Sequence, residues 1–206
     1  MNDTSAPPRL AEVIEAGSSV FRAQCYRLYQ APALGSLVAA GSPSIYGVVC
    51  QVSTEPLDPS RPVLARGESA QTEEQVYQDN PQIARLLTSR FEALIVGHQL
   101  ETGISHHLPP LPPRVHSFVK ECSPDEIAKF SSGLDFIHLL VNAGPAASEE
   151  VIRACLNHLI QAHSVKSHSG EAHSGAPDFR VQVGKALAKE LAEDVPQLTA
   201  ILRGLA

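Results

Sequence analysis

The chain has 206 residues, with 16 Lys and Arg against 22 Asp and Glu, 43% hydrophobic residues, 16 Pro, 4 Cys and no Trp. That is apolar material for one ordinary domain or two small ones without staples, and the longest apolar runs, such as Phe136 to Val141, fall far short of a membrane span. The first nine residues lack the basic flank and apolar stretch of a secretory signal, so a soluble cytoplasmic protein without a transmembrane segment is expected.

Leu10 to Glu15 is short and extended, and ends at the turn signal Gly17-Ser18-Ser19. Val20 to Leu28 alternates with period two, which predicts a strand whose faces meet different surroundings. Ser36 to Ala40 is a third strand, followed by the breaker Gly41-Ser42-Pro43-Ser44. Ile45 to Thr54 is rich in β-branched residues and carries Gly47, where a bulge or sharp bend would serve the corner of a small barrel.

Glu55 to Pro81 reads as a loop excursion with one helical turn near Thr72 to Tyr77, capped by Thr72 and led by Glu73 and Glu74. Ile83 to Leu87 could form a short helix, and Arg90 to Gln99 returns to strand. The run Leu108 to Arg114 holds four prolines, which remove backbone donors and predict a sheet margin or domain border.

At Ser123 the period changes. Ser123-Pro124-Asp125-Glu126 is a capping box with Pro at the first helical position. Ile127, Phe130 and Leu134 follow at helical spacing, Ser131-Ser132-Gly133 can split the segment, and Gly144-Pro145 stops it. Ser148 caps a second helix whose apolar stripe runs from Val151 to Ile160, ending near Gln161. A linker is expected over 164–176, then a third helix through Val183, Leu187 and Leu191 and a fourth from Val195 to Leu205. The fold class is therefore α+β: a small closed β-barrel of about six strands over 8–120, then a helical region of about four helices over 123–206.

The strand order, with Leu34-Gly35-Ser36-Leu37-Val38, the strand Tyr46-Gly47-Val48-Val49 closed by Thr54, Arg90 to Gly97 and the double-proline run, resembles the HAS-barrel. This small barrel stands at the front of HerA-type DNA-translocating ATPases and of rotary ATP synthase catalytic subunits. In the ATPase members a P-loop domain follows, but no G-x-x-x-x-G-K-[ST] occurs here and only helices follow Glu121. The resemblance thus implies a stand-alone barrel that packs side by side or contacts partners. It carries over no catalytic residue.

Charge and cysteine spacing exclude other classes. Residues 1–120 carry net −2 and 121–206 net −4, which argues against autonomous binding to nucleic acid, whose affinity comes from Lys and Arg neutralising phosphates. Cys25, Cys50, Cys122 and Cys155 form no C-x-x-C pair and read as reduced core thiols. His158, His163, His168 and His173 recur every five residues, about 140° apart on a helix, so they share no face and a metal would need the linker to wrap around it. No Gly-x-Ser-x-Gly elbow is present, and the pairs Glu73-Glu74 and Glu149-Glu150 are explained by helix starts.

The expected function is a non-enzymatic interaction, adaptor or assembly-factor protein, with no catalytic residue, cofactor or metal. Its partners would be proteins: a larger complex, an ATPase or further copies of the chain. The candidate interface residues are Arg22, Arg27, Arg66, Arg90 and Arg114, since arginine suits bidentate pairing across interfaces, together with the Pro-rich edge. The alternative is an accessory of a HerA-type DNA translocation or repair ATPase, or a DNA-contacting module.

Overall fold

The computed structural model describes residues 9–168 and 178–205. Seven strands, β1 (Ala11–Ala16), β2 (Val20–Cys25), β3 (Leu37–Ala40), β4 (Ile45–Pro56), β5 (Leu87–Leu100), β6 (Gly103–Ser105) and β7 (Phe118–Glu121), lie in the order β2-β1-β7-β3-β4-β5-β6. Because β2 also pairs with β5, six of them close into an antiparallel barrel, with β6 a short hairpin arm on β5. The closing strand β7 lies beyond the Pro-rich run, so that run is a crossing between strands of one barrel. Its four residues carry too little pattern to be found by alternation.

Inward positions from all six strands fill the lumen: Val13, Phe21, Ala23, Val38, Val49, Phe91, Ala93, Ile95 and Val119 are all at most 2% exposed. Side chains alone fill a barrel this narrow. Gly47 makes room for the largest of them. A Cβ there would stand 2.9 Å from the Phe21 ring and 3.0 Å from Ala93 Cβ, and the β4–β5 register shifts between Tyr46 and Gly47, as expected of a glycine at a bend. A second shift lies between Val49 and Gln51.

Outward positions of β3 and of the adjoining halves of β4 and β5 (Leu37, Ala39, Tyr46, Val48, Leu94, Val96) are buried beneath the helices and form a second core with them. Helix α3 (Pro124–Phe130) starts at the expected capping box: Ser123 Oγ accepts from Glu126 N at 3.3 Å, and Ser123 N donates to Glu126 Oε2 at 3.0 Å. The chain then breaks at Ser131 to Asp135 into α4 (Ile137–Val141) and a 3-10 turn at Gly144–Ala146. Helix α5 (Glu149–His168) buries the whole stripe of Val151, Ile152, Cys155, Leu156, Leu159 and Ile160. It runs past Gln161, so 164–168 is helical rather than linker; 169–176 lies outside the described residues.

Helices α6 (Phe179–Glu190) and α7 (Val195–Arg203) complete the cover, making five α-helices where about four are predicted. They begin at Asp178 and Asp194, whose carboxylates accept from Arg180 N and Gln197 N.

Gly35 seats α5 on the barrel. Its φ of +80° suits glycine, and a Cβ there would fall 2.4 Å from Cys155 N and 2.7 Å from Ala154 Cβ, inside the helix backbone. Barrel and helices thus share a core in which Phe130 contacts Tyr46 and Phe136 at ring-centroid distances of 5.0 Å. No helix among the described residues is long and apolar enough to cross a membrane.

Candidate interaction surface

The five candidate arginines do not converge. Arg22 stands on the bare outer face of β2, opposite Glu92 of β5; its Nε donates to Glu92 Oε1 at 3.0 Å and its Nη1 to Glu15 Oε2 at 3.2 Å, and Glu92 holds its pKa above the usual value. Arg90 pairs with Glu55 Oε1 at 2.6 Å and donates to Gln24 Oε1 at 3.3 Å. Both guanidinium groups are thereby committed within the molecule. Arg27 lines a recess of about 370 Å³ with Arg9, Tyr26 and Glu121 at another place on the barrel. Arg114 is exposed in the Pro-rich crossing, where its carbonyl accepts from Ser117 N. Arg66 is the one drawn into an apolar groove.

That groove, of about 400 Å³, lies at the far end of the β4–β5 ribbon, between the segment 57–66 and the short helix α2 (Ile83–Leu86). The two strands stay paired to Pro56 and Leu87, and Leu57 N adds a bond to Leu86 O at 2.8 Å. Asp58 Oδ1 accepts from Ser60 N at 3.0 Å and Ser60 Oγ at 2.7 Å, a local turn that lowers the pKa of the Asp58 carboxyl. Pro59 and Pro62 fix further φ angles.

Outside the groove lining, helix α1 (Glu73–Asp79) begins at Thr72 as predicted, with Gln75 N donating to Thr72 Oγ1. It is tied to the barrel through Tyr77, whose ring meets Tyr29 edge-on at 6.2 Å and whose hydroxyl contacts the Tyr29 hydroxyl. Tyr29 N in turn donates to the buried Ser89 Oγ at 2.8 Å. Arg66 Nη1 reaches the end of α1 at Asn80 Oδ1, 3.3 Å away. The groove is thus assembled on anchored walls.

Its lining joins aliphatic groups to cations. Leu57, Val63, Leu64 and Leu86 are 49%, 62%, 67% and 43% exposed. Among them stand Arg61, Arg66 and Arg85. Arg61 is paired with Asp58 at 3.3 Å, while Arg66 and Arg85 make no ion pair among the described residues. Of this place sequence reasoning picked out Arg66 alone, because 55–81 is rich in Pro, Gly, Glu and Gln and reads as a loop excursion. The signal it held was three large aliphatics, Leu57, Val63 and Leu64, inside a stretch that alternates with nothing and so predicts no core position.

The four cysteines lie in the wall and the cover, three buried and Cys50 half-buried. Burial pushes the thiols of Cys25 and Cys50 up to about 11 and those of Cys122 and Cys155 up to about 12, so all four stay protonated at neutral pH, unlike the thiolates that carry cysteine chemistry. His158 bonds to Leu34 O at 3.2 Å, whereas His163 stacks on Phe179 at 3.7 Å and bonds to Ser131 Oγ at 2.8 Å. The two rings are therefore engaged on different neighbours. The His168 side chain and His173 lie outside the described residues, and among the described residues no group of three or more His, Cys, Asp or Glu could hold a metal ion.

Glu73-Glu74 and Glu149-Glu150 occupy first turns of α1 and α5, where the helix dipole accounts for them. No protein-family model matches this chain, and no curated protein matches it.

Proposed function

We propose that the protein is a non-enzymatic interaction module, an adaptor or assembly factor whose HAS-type barrel docks on a larger protein complex. The observation that carries this reading is the groove at the end of the β4–β5 ribbon. Four aliphatic side chains stand in solvent there beside arginines and gather around one recess, on a barrel whose inward and helix-facing apolar positions are taken up by the two cores. Exposed apolar surface rimmed by polar groups is typical of a protein contact. Helices α3 to α7 cover the other half of the β4–β5 ribbon, at Tyr46, Val48, Leu94 and Val96, and the resemblance to a barrel that serves as a contact element in motor proteins agrees with the absent P-loop.

The reading is tested by cross-linking the full chain in its native cell and mapping the linked peptides by mass spectrometry. Recurrent links between barrel residues and one protein complex are expected. Turnover of ATP by the purified protein, or a DNA-binding titration with a steep salt dependence and no protein cross-links, would replace it with a motor or a DNA-contacting reading.

A further inference from the structure

We infer that the groove between 57–66 and α2 takes a short extended segment of a partner protein that carries carboxylates between aliphatic side chains. The inference rests on the docking reading above and deepens it. Three features select this occupant.

The first is charge. The protein as a whole is at −6, yet the groove lining holds Arg61, Arg66 and Arg85 against the lone Asp58. Asp58 is spent on Arg61 and Ser60. Arg66 and Arg85 are left with donors that match carboxylates, and guanidinium forks bind carboxylates bidentately.

The second is the interleaving of those cations with Leu57, Val63, Leu64 and Leu86, which gives an alternating apolar and acidic segment complementary sites at each step. A free anion such as phosphate would leave these aliphatics wet. The third is backbone. Residues 62–66 take part in no backbone hydrogen bond among the described residues and lie outside any helix or strand. Their C=O groups, and the N–H groups of all but Pro62, are open to a partner strand, the means by which extended peptides gain affinity.

The walls are already anchored through the Leu57–Leu86 backbone bond, the Asp58–Arg61 pair and Arg66–Asn80, which lowers the ordering cost of binding. At about 400 Å³ the groove is near the low end of the roughly 300–1,000 Å³ range of pockets, a size for a few side chains rather than a folded domain.

The test is fluorescence anisotropy of the full-length protein with a labelled peptide of alternating Asp and Leu. One control replaces every Asp by Asn, and another replaces every Leu by Ser. Vesicles containing phosphatidylserine serve as a competing probe. Saturable binding of the Asp-Leu peptide is expected, at least about tenfold weaker for either control and weakened by added salt, as for exposed charge pairs. Arg85→Ala and Leu64→Ser, both at exposed positions, should each weaken it about fivefold or more while leaving the thermal transition in place. Arg66→Ala should add to the loss.

The inference is overturned if the Asp-Leu peptide does not bind, if the Asn control binds equally well, or if Arg85→Ala leaves affinity unchanged. Binding to the vesicles that Arg85→Ala abolishes, without peptide binding, would assign the surface to a membrane instead. Cross-links to a partner that fall on the β2–β5 face would leave the docking reading intact while sinking this one.

Discussion

The barrel wall has two sides of opposite chemistry. On the side under the helices, outward positions are apolar: Leu37 and Ala39 on β3, Tyr46 and Val48 on β4, Leu94 and Val96 on β5. On the bare side the same alternation delivers Arg22 and Gln24 on β2, Gln51 and Ser53 on β4, and Arg90 and Glu92 on β5, arranged as cross-strand partners. A single strand changes character along its length: β5 is polar outward at Arg90 and Glu92 and apolar outward from Leu94. Strand and helix are thus matched residue by residue, and the helical region is part of how the barrel is buried. A six-stranded barrel has a small lumen, and a second core on its outside adds apolar burial that the lumen cannot supply.

The sharpest way to break this comparison is to empty each core in turn. Phe21 fills the lumen at 1% exposure and Phe130 joins the helices to the wall at 0%. Phe21→Ala and Phe130→Ala should each cost about 3–5 kcal/mol, the usual loss for a buried aromatic. Both should move one urea transition, read by circular dichroism and by tyrosine fluorescence alike. A biphasic curve for Phe130→Ala, with the barrel signal unmoved, would show that barrel and cover fold separately.

Gly35→Ala attacks the joint itself. The added Cβ meets the backbone of α5 at Cys155 and Ala154, and the positive φ adds strain, so a loss of about 3 kcal/mol is expected in the same urea titration. An unchanged midpoint would mean that α5 does not seat on Gly35.

The same contrast explains what could be read beforehand. Strands β1 to β5 were legible because each alternates or is β-branched over six residues or more, or, like Leu37 to Ala40, sits between glycine-led turns. Helices α3 and α5 were legible through their caps. Missed were β6 and β7, of three and four residues, whose place is fixed by pairing with β5 and with β1 and β3 rather than by their own pattern. The arginines illustrate the limit for sites. Arg22, Arg66 and Arg90 look alike in sequence, yet two face carboxylates across strands and one faces an apolar groove, a distinction decided by strand pairing for Arg22 and Arg90 and by the path of the 57–66 loop for Arg66. Leu64, with Leu57 and Val63, stands out in the sequence only as an aliphatic in an irregular loop, and what lies beside it is set by the fold.

A smaller effect separates the two sides by pH. His106 lies at the edge of the covered side, its Nε2 2.9 Å from Phe130 O and its ring against Phe130 and Phe136 at 4.8 and 5.4 Å. Burial lowers its pKa below the ordinary 6.5, an effect partly opposed by the bond to Phe130 O and by Asp135, while His107 reinforces it. The folded protein therefore binds this proton less readily than the unfolded chain. Its contribution is complete above about pH 6.5 and is lost as pH falls from there through the folded pKa. Glu12 and Glu126, with carboxyl pKa values below the ordinary 4.5, begin to lose theirs only below about pH 4.5, so the His106 loss sets in first as pH falls. His106→Gln should flatten the fall in stability that begins below about pH 6.5, measured by urea midpoints. An identical slope in the variant would remove His106 from the cause.

The smallest expected effect belongs to the bare side, and its smallness is the point. Arg22 joins Glu15 and Glu92 across two strands with its side chain 44% exposed. Such pairs gain little because water competes for both charges and side-chain entropy opposes the fixed geometry. Arg22→Ala should therefore cost less than about 1 kcal/mol in a urea titration, and added salt should shrink the difference further. If this wall were the main docking face, the substitution would have the same small effect on stability and would in addition erase the cross-links to a partner. A Glu92→Gln variant distinguishes the cases: it weakens the internal pair yet keeps Arg22 available, so partner links would survive it on a docking face. Loss of several kcal/mol on Arg22→Ala would contradict both outcomes and show that the bare wall is braced by its charges as firmly as the covered wall is by its helices.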